Sequence, residues 1–583
     1  MISKRSDQQG LFDVGNVYAL SLAPDSFHAQ LARAARGLFS DDDFSRFYSE
    51  KHGRPSVPPS LLALTLILQS EAGVSDREAI GRTAYDLRWA AVLGRAAGEP
   101  LCARSTLQLF RAQMVLHDEA GGIFRSSIKE AKRKGLLKGK ALSVAIDTKP
   151  IEGRGAVEDT YNLLATGIRQ AAKEIAKGQG RRTKGWLLEN GFERYAESSI
   201  KGSAEIDWSD PGAKEAFLSG IVSDARRLLE AADGSDEKVR RATDLLRQLL
   251  LQDIEEIATE SGDSQVKIRE GTVRDRIPSA TDPDQRHGRK SKSKRFAGSK
   301  ASIVVDTESQ IVLATDVLFG NGGDSTGSIE LVEQAEENSG EKIEEVIADC
   351  AYGGKDTRES FEVAGRQLIA KVPREPRKDG HFVKSEFRID LKEWTVTCPA
   401  GVTISEYSAE ANGRKVFKFG VACRECPLRE RCTNSARGRS IGVHPLEELL
   451  IAARAYQQTK EGQEKLKSRV AVEHRLARLG QLGIGQARYV GIAKTRFQLA
   501  MAAAVANFRR TWNWEQRIAK SLCAQNAAGT ASACICALIC ALSTQIRRYT
   551  QYTLSRYVRI AVSVVRSVLP LRMLPQRASR PGF

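Results

Sequence analysis

Two short apolar runs, Ser143–Ile146 and Glu345–Ala348, are each followed by an aspartate, Asp147 and Asp349. Runs of this length and composition read as buried strands. A third motif, Arg469-Val470-Ala471-Val472-Glu473-His474-Arg475, sets a glutamate on a basic helix. Two carboxylates at strand ends and one on a helix can gather at one point and hold a divalent metal. The chain around them carries a formal net charge of +17, from 89 Lys and Arg against 72 Asp and Glu. Metal-carboxylate chemistry in a basic protein points to phosphodiester chemistry on nucleic acid. A strand-end Asp taken alone is more often a turn former or helix cap than a ligand. The set, with its order and local context, carries the reading.

A length of 583 residues implies two to four domains, and a hydrophobic fraction of 41% is enough for real cores. No apolar stretch follows the start Met1-Ile2-Ser3-Lys4, and the longest candidate span, Ala531–Leu542, is too short to cross a bilayer. A cytoplasmic location is therefore expected, with no membrane partner and with the ten cysteines reduced or metal-bound.

Residues 1–135 read as helical. Pro58-Pro59 can open a helix through Leu61–Leu68, Gly73 breaks it, and Ser75-Asp76-Arg77-Glu78 has capping-box form before a helix through Ile80, Ala84 and Leu87. Helix, turn and capped helix are compatible with a DNA-reading helix-turn-helix. After the strand at 141–147 and the Gly153-Arg154-Gly155 break, a charged helical insertion spans about 156–258, with Leu246, Leu250, Ile254 and Ile257 at helical spacing. A strand hairpin is expected at Ala301–Val305 and Ile311–Ala314, a helix at about 355–365 and a return to helix from 447 to 512. There Leu499, Ala503 and Ala506 form one apolar face. Residues 521–583 hold eight Arg and no Lys, Asp or Glu, a composition foreign to the rest of the chain.

Two further features bear on chemistry. Cys398, Cys423, Cys426 and Cys432 can supply four thiolates to a tetrahedral structural Zn²⁺ in the irregular stretch 376–446. Cys350, beside Asp349, reads as a small buried residue rather than a nucleophile. Arg286, Arg289, Lys290, Lys292, Lys294, Arg295 and Lys300 form the densest basic run, suited to phosphate contact.

These residues bring a family into view. The stretches Ala145–Pro150 with Gly153–Thr160, Asp282–Asp284 with Arg286–Gly288, Ala348–Gly353, Arg469–His474 and Gln486–Gly491 resemble a bacterial insertion-sequence transposase of the Asp-Asp-Glu class. The similarity is greatest to the eleven-eighty-two group of the insertion-sequence-five superfamily, and covers about residues 10–515. The resemblance implies an α/β fold with a ribonuclease-H-like core at 140–155, 281–375 and 447–515. A helical DNA-binding domain at 1–135, a helical insertion at 156–280 and the Cys-rich insertion at 376–446 would surround it, with 521–583 an atypical extension. Asp147, Asp349 and Glu473 would hold Mg²⁺ or Mn²⁺, with Arg469 and the basic run on DNA phosphates. The implied activity is cleavage at the terminal repeats of the element and joining of 3′-hydroxyl ends to target DNA, in a homodimer or higher oligomer. In relatives a Tyr and a Lys flank the Arg and Glu at set spacing. Here those positions fall on Leu466 and Gly480, leaving Arg478 or Lys494 to supply the charge. A decayed DNA-binding relic and a nuclease without joining activity are the rival readings.

Overall fold

The computed structural model describes residues 1–5, 18–19, 21–49, 53–117, 120–138, 141–197, 199–258, 264–271, 273–291, 293–372, 375, 377, 380–411 and 413–527. The chain divides into two compact units, Met1–Thr511 and Trp512–Phe583. Of the Arg-rich extension, only 521–527 are described, as the end of a helix spanning Ile492–Ala527.

The first unit is built on a mixed sheet of β1 (Leu142–Glu152), β2 (Arg286–Arg289), β3 (Arg295–Asp306), β4 (Val312–Phe319), β5 (Ile343–Ala348) and β6 (Gln367–Ala370). Strand β3 pairs antiparallel with β1 along one edge and with both β2 and β4 along the other. On its far side β1 pairs parallel with β5, and β5 with β6. The order is therefore β4–β3–β1–β5–β6. Val144, Ala145, Ile146, Ile303, Val304 and Val305 are fully buried, as strands covered on both faces require.

Strand β1 runs five residues past the expected end at Asp147. The long β3 continues to pair with it as far as Glu152 opposite Gly298. That pairing needs glycine, because a Cβ at 298 would lie 2.0 Å from the Ile151 carbonyl oxygen. Asp147 is thus an interior strand residue.

The free edge of β4 is closed by a side chain. Asn507, fully buried on the Ile492–Ala527 helix, donates to the Val312 carbonyl (2.8 Å) and accepts from its N–H (2.9 Å). Residues 499–506 of that helix are buried on all sides rather than on the single expected face. Its N-terminus is satisfied by the Asp282-Pro283-Asp284 turn: Asp282 accepts from Gly491 N–H (3.1 Å) and Asp284 from Ile492 N–H (2.9 Å).

In the N-terminal part the Pro59–Ala72 helix is buried on every face from 59 to 69, so it is the axis of a bundle. Ser75 caps the next helix through Glu78 N–H (3.2 Å), but the Glu78 carboxylate turns to Arg82, so the capping box is half formed. That helix stops at Tyr85. Asp86 caps a separate helix from Leu87, where one continuous helix was expected. Asp76 accepts from Arg111 (2.6 and 3.0 Å), Gln69 (2.8 Å) and Gln108 (3.2 Å), tying three helices together. Burial would raise its pKa, yet these bonds hold it at about 2. A folded pKa below the ordinary 3.8 contributes stability above pH 4 that is lost as pH falls toward 2. Asp76→Asn should cost about 2 kcal/mol at pH 7 and much less at pH 2, read by denaturant unfolding at the two pH values. An equal cost at both would remove the charge from the account.

The helical insertion packs Leu163, Leu164, Ile168, Ile221, Val222, Leu246 and Leu249 into its own core. Its last helix ends at Asp253, not 258. Asp253 is buried and held by Arg276 (2.7 and 2.9 Å) and Thr160 (3.0 Å), and Ile254–Ala258 then pair as a strand with Ser264–Ile268. The β-branched Ile254 and Ile257 fit that ladder, with Ile254 facing Ile268. The 376–446 stretch carries two small three-stranded sheets. The expected helix at 447–512 is four: Glu447–Tyr456, Lys460–Ser468, Val470–Leu479 and the long helix from Ile492.

Candidate active site

The register of β1 on β5 brings two of the acidic motifs together. Ala145 pairs with Ile347, and Asp147 and Asp349 each stand two residues beyond that pair on adjacent strand paths. Asp349 caps a short turn, accepting from Ala351 N–H at 2.8 Å, and Tyr352 behind it is fully buried. Gly353 completes the motif because a Cβ there would lie 2.0 Å from the Lys371 carbonyl oxygen. Cys350 is exposed, not buried as expected, because the turn points it away from the sheet.

Glu473 comes from the Val470–Leu479 helix, which lays Ala471, Val472, Leu476 and Leu479 onto β1 and β3. Arg469, between this helix and the preceding one, bonds Asp147 (3.0 Å) and also pairs with Glu473. One guanidinium therefore bridges two carboxylates from opposite ends of the sequence. Burial pushes the Asp147 pKa up to about 6, with the neighbouring Asp349 and then Asp324 adding to the rise.

Lys149 lies two residues beyond Asp147. Its ammonium donates to the Leu476 carbonyl (3.2 Å) and occupies the space a side chain at Gly480 would take, 2.4 Å from a Cβ there. Lys149 thus sets a positive charge beside Gly480, while Arg478 donates to Gln481 (2.8 Å). Sequence spacing could not reveal this, since Lys149 and Gly480 are far apart in the chain.

The basic run divides. Arg289, Lys290, Lys294 and Arg295 are exposed on the β2–β3 hairpin, without an ion pair among the described residues. Lys300 is buried and donates to Asp324 (2.7 Å) and the Gly322 carbonyl (2.8 Å). Lys292 lies outside the described residues. A groove of about 830 Å³ opens next to Asp349, lined by Cys350, Lys371, Val372, Gln457, Gln458, Gln463, Leu466 and Lys467.

Cys398, Cys423, Cys426 and Cys432 face one small cavity of about 20 Å³. As they stand, no three His, Cys, Asp or Glu side chains among the described residues are disposed to hold a metal ion. At the carboxylates, Arg469 bridges Asp147 and Glu473. At the thiols, the four donors that line the cavity are soft, the donor type that Zn²⁺ takes.

Two family comparisons bear on this arrangement. Residues 397–512 match the family model of a transposase DDE domain, and residues 19–113 that of a transposase domain (DUF772). The first match spans the four cysteines, Arg469 and Glu473; Asp147 and Asp349 lie outside both. Together they support an insertion-sequence transposase of the DDE class. No curated protein and no solved structure gives a match. No helix among the described residues is long and apolar enough to cross a membrane.

Proposed function

We propose that the chain is a DNA transposase that cleaves at the terminal repeats of its insertion sequence and joins the 3′-hydroxyl ends to target DNA. The observation that carries this reading is that strand register sets Asp349 beside Asp147 while Arg469 bridges Asp147 to Glu473, in a chain that matches two transposase family models. The strand order β4–β3–β1–β5–β6, antiparallel then parallel, supports a ribonuclease-H-like core. Asp147, Asp349 and Glu473 would hold Mg²⁺ or Mn²⁺, which when bound activates an attacking oxygen and stabilises a leaving one. Arg469, no longer needed as their counter-ion, is then available to a phosphate, where its planar fork binds two oxygens. Arg289, Lys290, Lys294 and Arg295 would hold the DNA backbone, and the groove lined by Lys371 and Lys467 offers room beside Asp349 for a strand. The DNA partner is double-stranded, as element end and as target, and pairing two ends calls for at least a dimer. The four cysteines would bind one structural Zn²⁺.

The test is cleavage and joining of a labelled DNA end from sequence flanking the gene, with and without Mg²⁺, for wild type and Glu473→Gln. Mg²⁺-dependent 3′-end joining that disappears in the variant is the expected result. Binding without cleavage would identify a decayed relic, and cleavage without joined product a nuclease.

A further inference from the structure

The face of β1 that carries Asp147 also carries Lys149. Residues two apart on a strand point the same way, about 7 Å from one another, and these two pair with Ile303 and Ala301 on β3. The Val470–Leu479 helix lies along this face. Arg469, at its start, bonds Asp147, and two turns on the Leu476 carbonyl accepts from the Lys149 ammonium (3.2 Å). Gly480 follows Glu473 by seven residues, close to two helical turns, so it lies on the helix face of Glu473 about 10 Å further along. The Lys149 ammonium fills the space over Gly480, 2.4 Å from where a Cβ would stand. Lys149 thus sets a cation in line with Asp147 on the strand and with Glu473 on the helix.

The fold gives this cation no counter-ion. The Leu476 carbonyl already accepts from the Gly480 N–H, so it does not need the lysine. One carbonyl also leaves two of the three ammonium hydrogens without a protein partner among the described residues. Lys132, Lys300, Lys384 and Lys465, buried or half-buried, each meet a carboxylate, from Glu341, Asp324, Glu447 and Glu345 in turn. Lys149 is half-buried too, and no carboxylate among the described residues pairs with it. A half-buried charge without a counter-ion is costly, and an arriving anion relieves that cost.

We propose that Lys149 contacts a phosphate of the bound DNA next to the one under attack, and so positions the DNA end at the carboxylates. The proposal rests on the reading of Asp147, Asp349 and Glu473 as a DNA-cleaving site. A cation that only clamped the end of the Val470–Leu479 helix would stabilise the chain and leave DNA binding unchanged.

The experiment follows binding of a labelled duplex from sequence flanking the gene by the full chain, in EDTA, over a range of KCl concentrations. Each phosphate contact contributes about 0.9 to the fall of log affinity with log salt. Lys149→Met should lower that slope by about one, and Lys149→Arg should keep it. Lys149→Met paired with Gly480→Lys returns an ammonium to the same space from the helix, and should restore the wild-type slope. If Lys149→Met does not fold, the paired variant decides alone. A wild-type slope in Lys149→Met, whatever its melting temperature, overturns the proposal, and so does a slope still lowered by about one in the paired variant. Wild-type protein that binds this duplex no better than a scrambled one would overturn the DNA-end reading of the site, and this proposal with it.

Discussion

Asp147→Asn is expected to abolish Mg²⁺-dependent cleavage and, at the same time, to make the metal-free chain more stable. Loss of a metal-holding carboxylate removes several kcal/mol of transition-state stabilisation, so the rate should fall about a thousandfold or more. The stability effect has the opposite sign. The Asp147 pKa is raised to about 6 from the ordinary 3.8, first by burial and then by Asp349 and Asp324, and the Thr148 N–H and Arg469 only partly offset this. A folded pKa above the unfolded one means that the ionised carboxylate destabilises the fold. The cost is absent below pH 4, grows between pH 4 and 6, and is complete above 6. About two pKa units correspond to about 3 kcal/mol, a figure that already contains the offset from Arg469. Melting in EDTA at pH 8 should therefore place the variant above wild type, with the gap closing at pH 4. DNA binding should persist. A variant that melts lower at pH 8 would show that the Asp147–Arg469 pair outweighs desolvation, and retained cleavage would remove Asp147 from the site.

The same electrostatics explain how much of the site was legible in the chain. Asp147, Asp349 and Glu473 were legible because each ends or follows a short apolar pattern, and local pattern survives in sequence. The partners were not. Lys149 fills the space above Gly480 and Lys300 fixes Asp324; both contacts join segments far apart in the chain. Strand β1 looked as if it ended at Asp147 because Thr148-Lys149-Pro150 breaks the apolar run, yet ladder pairing with β3 carries it to Glu152. Backbone hydrogen bonds across a sheet leave no mark in composition. The helix extended to 258 failed for a related reason: Ile254 and Ile257 continue the helical spacing of Leu246 and Leu250, but a strand partner at 264–268 outweighs it. Arg469 was legible as a cation beside Glu473, while its bond to Asp147, 322 residues away, was not.

Cys423→Ser should release a bound zinc ion and unfold the small module around it. That module has little apolar core: Phe382, Phe387, Val396, Phe417, Phe419, Ile441 and Val443, with Cys423 and Cys432 buried among them. Two sheets of strands two to four residues long cannot by themselves offset the ordering of some 65 residues. A metal is a common remedy at this size. Two backbone features lie at these cysteines. Gly401, with φ +86°, closes a turn whose N–H bonds the Cys398 carbonyl (2.9 Å), and the Arg439 N–H donates to the Cys423 sulfur (3.4 Å). Amide donation of this kind stabilises a thiolate, the form that binds metal. Burial raises the Cys432 pKa and its three fellow thiols add to the rise, so as a free group Cys432 stays protonated. Zinc binding displaces thiol protons and, in small metal-dependent folds, contributes about 10–16 kcal/mol. The wild-type chain should therefore carry one zinc by elemental analysis and resist proteolysis across 376–446. Cys423→Ser, or prolonged chelation, should lose the metal and expose that stretch to cleavage, while Cys350→Ser, at an exposed thiol outside the module, should keep both. Wild-type protein free of zinc, with all four thiols reactive toward a thiol reagent before chelation, would leave the module held by its small core alone.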